Sequence, residues 1–214
     1  MITSVNLYAG LAGFYIIEDA EVDARLELPQ GKYDIPLALS AKQYTYSGNL
    51  SQVADETDSI YGDVIEVNGQ PWPFLSVEPR RYRFRILNTA LSRSFILGLL
   101  DGIGGKNVPY QIVASDSGYM SGPVTVTQLV VAMAERWEII VDFAEYSNMN
   151  LTLTNQRKVF GSTDYAGTDR VMQFNVGTMT TSDTNNGPIP SSLVNLNIPS
   201  AGNPIDRTFK FDRQ

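Results

Sequence analysis

The sequence contains neither histidine nor cysteine among its 214 residues. Without imidazole and thiolate groups, zinc, blue-copper and haem sites lose their usual ligands. Triads that combine serine or cysteine with histidine lose their base. Any group that titrates near neutral pH must therefore be a perturbed carboxylate or amine. Because a core of this size needs no disulfide bonds, the lack of cysteine leaves the redox compartment open.

Basic residues and long apolar runs are also scarce. The 16 Lys and Arg residues are outnumbered by 23 Asp and Glu, and the net charge is −7. This balance argues against a nucleic-acid partner and against an anionic membrane surface, since both attract positive charge. No run approaches the roughly 18 apolar residues that a membrane-spanning helix requires, and the first ten residues lack the features of a signal peptide. We therefore expect neither a nucleic-acid nor a membrane partner.

What the chain does contain is a series of short strand-like runs in a composition that is 43% hydrophobic. The runs are bounded by Gly, Pro, Asn or Asp and recur at intervals of about 8 to 12 residues, which is typical of a β-sandwich or barrel. No segment shows a sustained helical period. The predicted strands are 12–19, 34–44, 63–69, 81–88, 94–100, 110–116, 124–133, 136–143, 150–155 and 170–176. The sequence thus predicts an all-β fold built from antiparallel strands.

The stretch 67–88, "VNGQPWPFLSVEPRRYRFRILN", shows how one strand is specified. Asn-Gly at 68–69 is a strong hairpin signal because both residues tolerate positive φ, and the prolines at 71 and 73 exclude a central strand there. Beyond them, charged and apolar residues alternate, so we expect a half-buried strand with a solvated or interface-facing arginine side. The charged positions are Arg81, Arg83 and Arg85, and the apolar positions are Tyr82, Phe84 and Ile86.

Other polar motifs favour structural roles over chemical ones. Asp116 lies in "SDSG", the loop signature of aspartic proteases, but one copy would need a homodimer to pair two carboxylates, and a turn that closes the preceding strand is favoured. "GIGGK" at 102–106 lacks the spacing of a phosphate-binding loop and is interpreted as a hairpin loop. Solvated or salt-bridged roles are expected for Glu135, Glu138 and Asp142. Two Asn-x-Ser/Thr triplets begin at Asn49 and Asn150 and are weak indications of secretion.

Several long strings resemble the middle cupredoxin domain of multicopper oxidases, most closely the fungal bilirubin-oxidase and laccase-like branch. The resemblance runs from about residue 4 to 176 in the order of that family, and "DRTFKF" at 206–211 resembles the first strand of its third domain. The strings are "NLYAGLAGFYIIED", "DIPLALSAKQYTYSGNL", "GDVIEVNGQPWPFLSVEPRRYRFRILNTALSRSF", "IVASDSGYM" and "MAERWEIIVDF".

The resemblance implies a cupredoxin-like Greek-key β-sandwich or barrel. Residues 1–177 would be a second, copper-free domain, 178–204 an interdomain linker rich in Thr, Ser, Asn and Pro, and 205–214 the first strand of a third domain. In that family the coppers are held by His and Cys side chains of the first and third domains, so no catalytic, cofactor-binding or metal-ligating residue carries over to this chain. The first and third cupredoxin domains of the same protein would be the partners, and the location would be extracellular.

Two functions remain open on the sequence. In the first, the chain is a scaffold within an oxidase that takes electrons from phenolic or tetrapyrrole substrates and reduces O2 to water, and it is inactive and free of copper by itself. In the second, it is a stand-alone, metal-free β-sandwich that binds a partner or a carbohydrate through exposed aromatic side chains such as Trp72 and Tyr119. A dimeric protease that uses Asp116 is a distant third.

Overall fold

The computed structural model describes residues 2–51, 59–102, 105–196, 200 and 208–210. These residues contain two short helices, α1 (Ile2–Tyr8) and α2 (Ala20–Leu26). Single 3-10 turns lie at Gly31–Tyr33 and Ala144–Tyr146. The strands are β1 (Asp34–Lys42), β2 (Val64–Val67), β3 (Gln70–Pro71), β4 (Phe74–Val77), β5 (Arg81–Asn88), β6 (Phe95–Asp101), β7 (Tyr110–Ser115), β8 (Gly118–Val126), β9 (Gln128–Val131), β10 (Arg136–Asp142), β11 (Asn150–Asn155) and β12 (Arg170–Val176).

The strands form two sheets. The first has the order β3-β2-β1-β5-β10-β7-β8, and the second has the order β4-β12-β11-β6-β9. Strand β1 runs parallel to β5, and β12 runs parallel to β4, whereas the other neighbours run antiparallel. The predicted all-β architecture is therefore confirmed, but the expectation of a wholly antiparallel arrangement is wrong at these two pairs, where a long connection returns the chain in the same direction.

The main core lies between the two sheets and contains the apolar side of β5. Tyr82, Phe84 and Ile86 are 5%, 0% and 0% exposed, as their alternation predicts. The ring of Phe84 lies 5.1 Å from that of Phe174 on the other sheet and 6.3 Å from that of Phe143. Aromatic pairs at such separations add to the free energy already provided by apolar burial. Strand β5 thus joins the sheets through one face and leaves the other face for its arginines.

The turn predicted at 68–69 joins β2 to β3. Asn68 and Gly69 have φ of 52° and 77°, so both lie in the left-handed region that such two-residue hairpins require. The Asn68 side chain also fastens the turn to β1, because its Oδ1 accepts a hydrogen bond from Ala38 N at 2.8 Å and its Nδ2 donates to Pro36 O at 3.0 Å. Asn68 therefore serves both the turn conformation and the pairing of the sheet.

We expect Asn68→Ala to lower the free energy of unfolding by about 1–3 kcal/mol, because it removes two hydrogen bonds and places a residue with little tolerance for positive φ in the turn. Urea unfolding of the purified chain measures this. Asn68→Gly keeps the backbone freedom and removes the same hydrogen bonds, so it should lose less. Equal stability of Asn68→Ala and the wild type would contradict the role assigned to the turn.

Several predicted elements differ from the observed ones. Residues 12–19 are not a strand: the chain from 11 to 19 has no regular secondary structure, and Tyr15 and Ile17 are 92% and 83% exposed. Their alternation has no paired strand to support it among the described residues. The run 124–133 is divided between the end of β8 and β9. The two helices and the short strands β3 and β4 were not predicted. Helix α2 begins where the Asp19 carboxylate accepts hydrogen bonds from the backbone N–H groups of Glu21 and Val22.

The end of the chain is described without a gap as far as residue 196. Residues 178–196 have no helix or strand, yet Leu193 is fully buried. Of the strand expected at 205–214, only 208–210 fall within the described residues, and the centre of the predicted loop 102–106 also lies outside them. The predicted linker therefore contains a part that packs against the sandwich.

Candidate functional site

The arginine side of β5 faces carboxylates supplied by its two neighbouring strands. The strand register places Asp34 of β1 opposite Arg83, and Glu138 of β10 opposite Arg85. The side chains of Arg83 and Arg85 are 3% and 12% exposed. Because these side chains share one face of adjacent strands, the alternation of β5 produces a compact ionic cluster.

The four side chains of this ionic cluster are joined by several charge-assisted hydrogen bonds. Arg85 binds Asp34 in a two-pronged arrangement, with Nε–Oδ1 at 2.9 Å and Nη2–Oδ2 at 2.7 Å, and its Nη1 donates to Glu138 Oε1 at 2.7 Å. Arg83 Nε donates to Glu138 Oε2 at 2.8 Å, and its Nη2 contacts the same oxygen. Two positive and two negative charges thus satisfy one another within a largely desolvated site.

Tyr119 closes the cluster on the side of helix α2. Its hydroxyl accepts a hydrogen bond from Arg83 Nη2 at 2.8 Å and donates one to Asp23 Oδ1 at 3.0 Å. Burial raises the pKa of Tyr119 to about 12 in spite of the adjacent guanidinium, so the hydroxyl stays protonated at neutral pH and can keep both roles. The cluster is therefore fixed between the sheet and α2.

The predicted environment of the arginines is wrong in one respect. They do lie opposite the apolar side of β5, but Arg83 and Arg85 are inside an ion-pair network and not on a solvated or open surface. Arg81 differs, since its Nη2 lies 2.8 Å from Asp142 Oδ2 at a more exposed position. Sequence spacing on one strand could not reveal Asp34 and Asp23, because both reach the cluster from other elements.

The other candidate carboxylates occupy structural positions. Asp116 lies in the turn between β7 and β8, where its Oδ1 accepts a hydrogen bond from Arg136 N at 2.7 Å. The side chain is 44% exposed, which fits the turn interpretation and not a protease site. Glu135 Oε2 accepts from the Trp137 indole at 3.1 Å and from Ala132 N at 2.8 Å.

A second ion pair, which sequence reasoning missed, is formed by two shielded side chains under a surface loop. Arg93 and Asp164 have side chains that are 0% and 1% exposed, and their closest atoms are 2.7 Å apart. Arg93 also donates to the carbonyls of Tyr61 and Gly62, at 2.8 Å each. Burial alone raises the pKa of Asp164, but the hydrogen bonds from Arg93 and from Tyr165 N outweigh it, and the pKa is lowered. Arg93 lies between β5 and β6, so the pair joins this connection to the loop before β12, and the two carbonyl contacts add the segment before β2.

A third group of polar contacts surrounds Glu78, between β4 and β5. Its carboxylate accepts hydrogen bonds from Lys32 Nζ at 2.8 Å, from Tyr33 OH at 3.1 Å and from Thr181 N at 2.8 Å. Burial by itself raises the pKa of Glu78, but these hydrogen bonds reverse the effect and lower the pKa to about 2. The carboxylate is thus held ionised between the sandwich and the C-terminal segment.

We expect Glu78 to stabilise the fold at neutral pH and to lose this effect in acid. Because its pKa in the folded state, about 2, lies below the ordinary value of 4.5, the contribution is complete above pH 4.5 and disappears as the pH falls toward 2. Urea unfolding from pH 7 to pH 2.5 should therefore show a stability difference between wild type and Glu78→Gln that shrinks with acidity. The exposed Glu18→Gln is the control, and a difference independent of pH would contradict the prediction.

A cavity of about 370 Å³ lies between residues 10–14 and strands β1 and β2. Its charged lining residues are already engaged: Lys42 Nζ donates to the Tyr8 carbonyl, and Glu66 Oε2 accepts from Ser40 Oγ at 3.0 Å. Burial lowers the pKa of Lys42. The cavity therefore has polar walls, but Lys42 serves to attach α1 to the sheet, and Ser40 and Glu66 bind each other across β1 and β2.

The donor groups of the chain do not fit a copper centre. The sequence has no His or Cys, and no group of three or more His, Cys, Asp or Glu side chains that could hold a metal ion occurs among the described residues. Type 1 and trinuclear copper sites need imidazole and thiolate ligands. None of the described helices is long and apolar enough to cross a membrane.

Comparison with known proteins gives the chain its family. No protein-family model matches it. It is 43% identical to the bilirubin oxidase of Albifimbria verrucaria over 99% of its own length and 38% of that enzyme, and 35% identical to the laccase of Bacillus subtilis over 82% of its length and 35% of that laccase. The McoA multicopper oxidase of Aquifex aeolicus has a solved structure with a TM-score of 0.79 and 32% identity, covering 92% of this chain and 43% of that one.

The chain belongs to the multicopper oxidase family.

The resemblance noted in the sequence is thereby confirmed, and the two packed sheets form the predicted cupredoxin-like β-sandwich of a multicopper oxidase. A multicopper oxidase of Campylobacter jejuni shows the same fold with a TM-score of 0.68 at 18% identity. The chain spans about two fifths of the length of that bilirubin oxidase.

Proposed function

We propose that residues 1–177 are the second, copper-free domain of a longer multicopper oxidase and act as a scaffold between its copper-binding domains. The observation that supports this most strongly is the 43% identity to a bilirubin oxidase over almost the whole chain, which nevertheless spans only 38% of that enzyme. The donor set that does not fit copper is consistent with a supporting role. The complete protein would oxidise phenolic or tetrapyrrole substrates and reduce O2 to water.

In this proposed role, the residues of the chain contribute a rigid support for the copper-binding domains. Electron transfer and copper geometry depend on fixed supporting groups. The cluster of Arg83, Arg85, Asp34 and Glu138 fixes three strands of the first sheet, and the buried pair of Arg93 and Asp164 fixes two loops. These contacts hold the surfaces that the first and third domains would meet.

Copper content and oxygen uptake test the proposal. The protein encoded by the complete gene should contain copper and consume O2 with bilirubin or a simple phenol. The 214-residue chain should retain no stoichiometric copper after dialysis and should consume no O2, because it lacks thiolate and imidazole ligands. A coloured, stoichiometric copper centre in this chain, or a complete protein without copper, would refute the proposal.

We also propose that the protein is secreted, because several long motifs of this chain resemble those of an extracellular oxidase family. The two potential glycosylation sites, Asn49 and Asn150, are both exposed in the structure, which supports the assignment. Detection of the protein in the culture medium of its source organism, and of a mass decrease on enzymatic removal of N-glycans, tests it. Purely intracellular protein would contradict it.

The alternative of a stand-alone binding module has lost part of its support. Tyr119 is not an exposed stacking surface, because its hydroxyl lies between Arg83 and Asp23. Trp72 is 42% exposed, but its indole is held by a hydrogen bond to the Gly167 carbonyl at 3.1 Å. We therefore retain the scaffold within an oxidase as the function of the chain.

A further inference from the structure

The segment that follows β12, residues 180–193, lies across the sandwich without helix or strand and is attached at both ends. At its start, the Glu78 carboxylate accepts hydrogen bonds from both Thr181 N and Thr181 Oγ1, at 2.8 and 2.7 Å. The hydroxyl of Thr180 donates to the Pro79 carbonyl at 3.2 Å. The first attachment therefore lies directly before β5.

Arg80 provides the next attachment. Its side chain is fully buried, and its guanidinium carbon lies 3.5 Å from the centre of the Tyr33 ring. Nη2 donates to the Thr184 carbonyl at 2.7 Å and Nη1 to the Ser182 carbonyl. Among the described residues, no carboxylate lies within 4.0 Å of this guanidinium. A buried cation needs acceptors. The segment 180–193 supplies those of both Nη atoms, whereas the sandwich supplies only the Arg81 carbonyl, 3.4 Å from Nε, among the described residues.

Arg81 also binds main-chain carbonyls of the segment, at the residues that follow those bound by Arg80. Its Nη1 donates to the carbonyls of Asn186 and Gly187 at 2.7 and 2.8 Å, and its backbone N–H donates to Asn186 Oδ1 at 2.9 Å. The ion pair with Asp142 holds the guanidinium in place. Arg80 and Arg81 together thus bind four backbone carbonyls of the segment, which belong to Ser182, Thr184, Asn186 and Gly187.

The far end of the segment is held by packing. Leu193 is 0% exposed and lies in a small apolar cluster with Leu26, Val113 and Ile140 on the outer side of the first sheet. Its N–H donates to the Ser121 carbonyl at 2.9 Å, and its carbonyl accepts from Arg25 Nη2 at 2.8 Å. The segment therefore covers helix α2 and the edge strand β8 as well as the start of β5.

We propose that residues 180–193 form a strap that is an integral part of this domain, and that Glu78, Arg80 and Arg81 act as its binding site by recognising main-chain groups. The strap closes the outer side of the sheet and determines the direction in which the chain leaves the sandwich after residue 193. It thereby restricts the predicted interdomain linker to the residues beyond it. The strap requires no copper, and its contacts do not depend on the oxidase activity proposed for the complete protein.

Amide hydrogen exchange in the 214-residue chain, followed by NMR or by mass spectrometry with electron-transfer fragmentation, tests the strap. The probes are the amides of Thr181 and Leu193, which donate to Glu78 and to Ser121. In the wild type we expect both to exchange about 100-fold more slowly than in an unstructured peptide. Exchange of both amides at the peptide rate would overturn the proposal.

Two variants release opposite ends of the strap. Arg80→Ala removes the buried guanidinium and should increase exchange at Thr181 by about tenfold or more, whereas Arg170→Ala, an exposed arginine, should not. Gly122→Ala places a Cβ 2.5 Å from the Ser191 carbonyl oxygen and should increase exchange at Leu193. Gly187→Ala has open space at its Cβ and is the matched control within the strap.

Gly122→Ala tests the proposal even if Arg80→Ala prevents folding, because it leaves the buried Arg80 guanidinium and its partners in place. Strand β11 amides serve as the internal reference, and their exchange should be the same in the wild type and in Gly122→Ala. A faster exchange confined to the strap supports the proposal. Unchanged exchange at Leu193 in Gly122→Ala, together with unchanged exchange at Thr181 in a folded Arg80→Ala, would refute it.

Discussion

Arg93→Ala should lower the free energy of unfolding by about 3–5 kcal/mol, because it leaves the fully buried Asp164 carboxylate without its cation. The variant also removes the donors that satisfy the carbonyls of Tyr61 and Gly62. Asp164 must then be ionised without its cation or take up a proton, and both options cost free energy in a buried site. Urea unfolding at pH 7, with the linear-extrapolation method, measures the loss.

An exposed pair gives the matched control for this prediction. Arg170 and Asp169 are 3.8 Å apart, with side chains that are 71% and 58% exposed, so Arg170→Ala should change the stability by less than about 0.5 kcal/mol. The double variant Arg93→Met with Asp164→Leu should lose less than Arg93→Ala alone, since it leaves no buried charge unpaired. A loss in Arg93→Ala no larger than in Arg170→Ala would contradict the assigned role.

Phe84→Ala should cost about 3–5 kcal/mol, because the ring is fully buried at the contact between the two sheets. The cavity would border Phe143 and Phe174, whose rings lie 6.3 and 5.1 Å away. Both neighbours belong to the packed core, so collapse around the cavity is limited. The loss should appear in urea unfolding and as a lower melting temperature in calorimetry.

Phe74→Ala is the control for the core substitution. Phe74 lies on the edge strand β4 and is 70% exposed, so its removal should have a small effect on stability. Phe84→Leu keeps much of the volume and should fall between wild type and Phe84→Ala. Equal effects of Phe74→Ala and Phe84→Ala would mean that β5 does not join the sheets in the way the structure indicates.

The alternation within β5 was sufficient to predict which of its residues are buried, because side chains on a strand point alternately to its two faces. The same pattern failed at 12–19, where Tyr15 and Ile17 are exposed. Alternation predicts which side chains share one face of a strand, but it does not show whether a neighbouring strand is present to pair with that strand. Helix α2 was not predicted because its seven residues are too few to show a sustained helical period, although Asp19 caps it before an acidic first turn.

The ionic clusters could be predicted only in part. The arginines of β5 were identified as one charged face, but their partners come from β1, β10 and α2, and the sequence distance between Arg83 and Glu138 is 55 residues. The pair of Arg93 and Asp164 spans 71 residues and stands in two loops without periodicity. Contacts of this kind depend on the three-dimensional arrangement of elements, which local patterns do not encode.

The contacts made by Arg80 and Arg81 with residues 182–187 have a consequence for sequence divergence and for protein engineering. Since the two guanidinium groups bind main-chain carbonyls, most side chains at these positions are free to change without loss of the attachment. Substitution should therefore accumulate in this stretch more readily than at Arg80, Thr181 or Leu193. A peptide tag or a recognition epitope placed on its outward-facing side chains should be displayed in a fixed position on the surface.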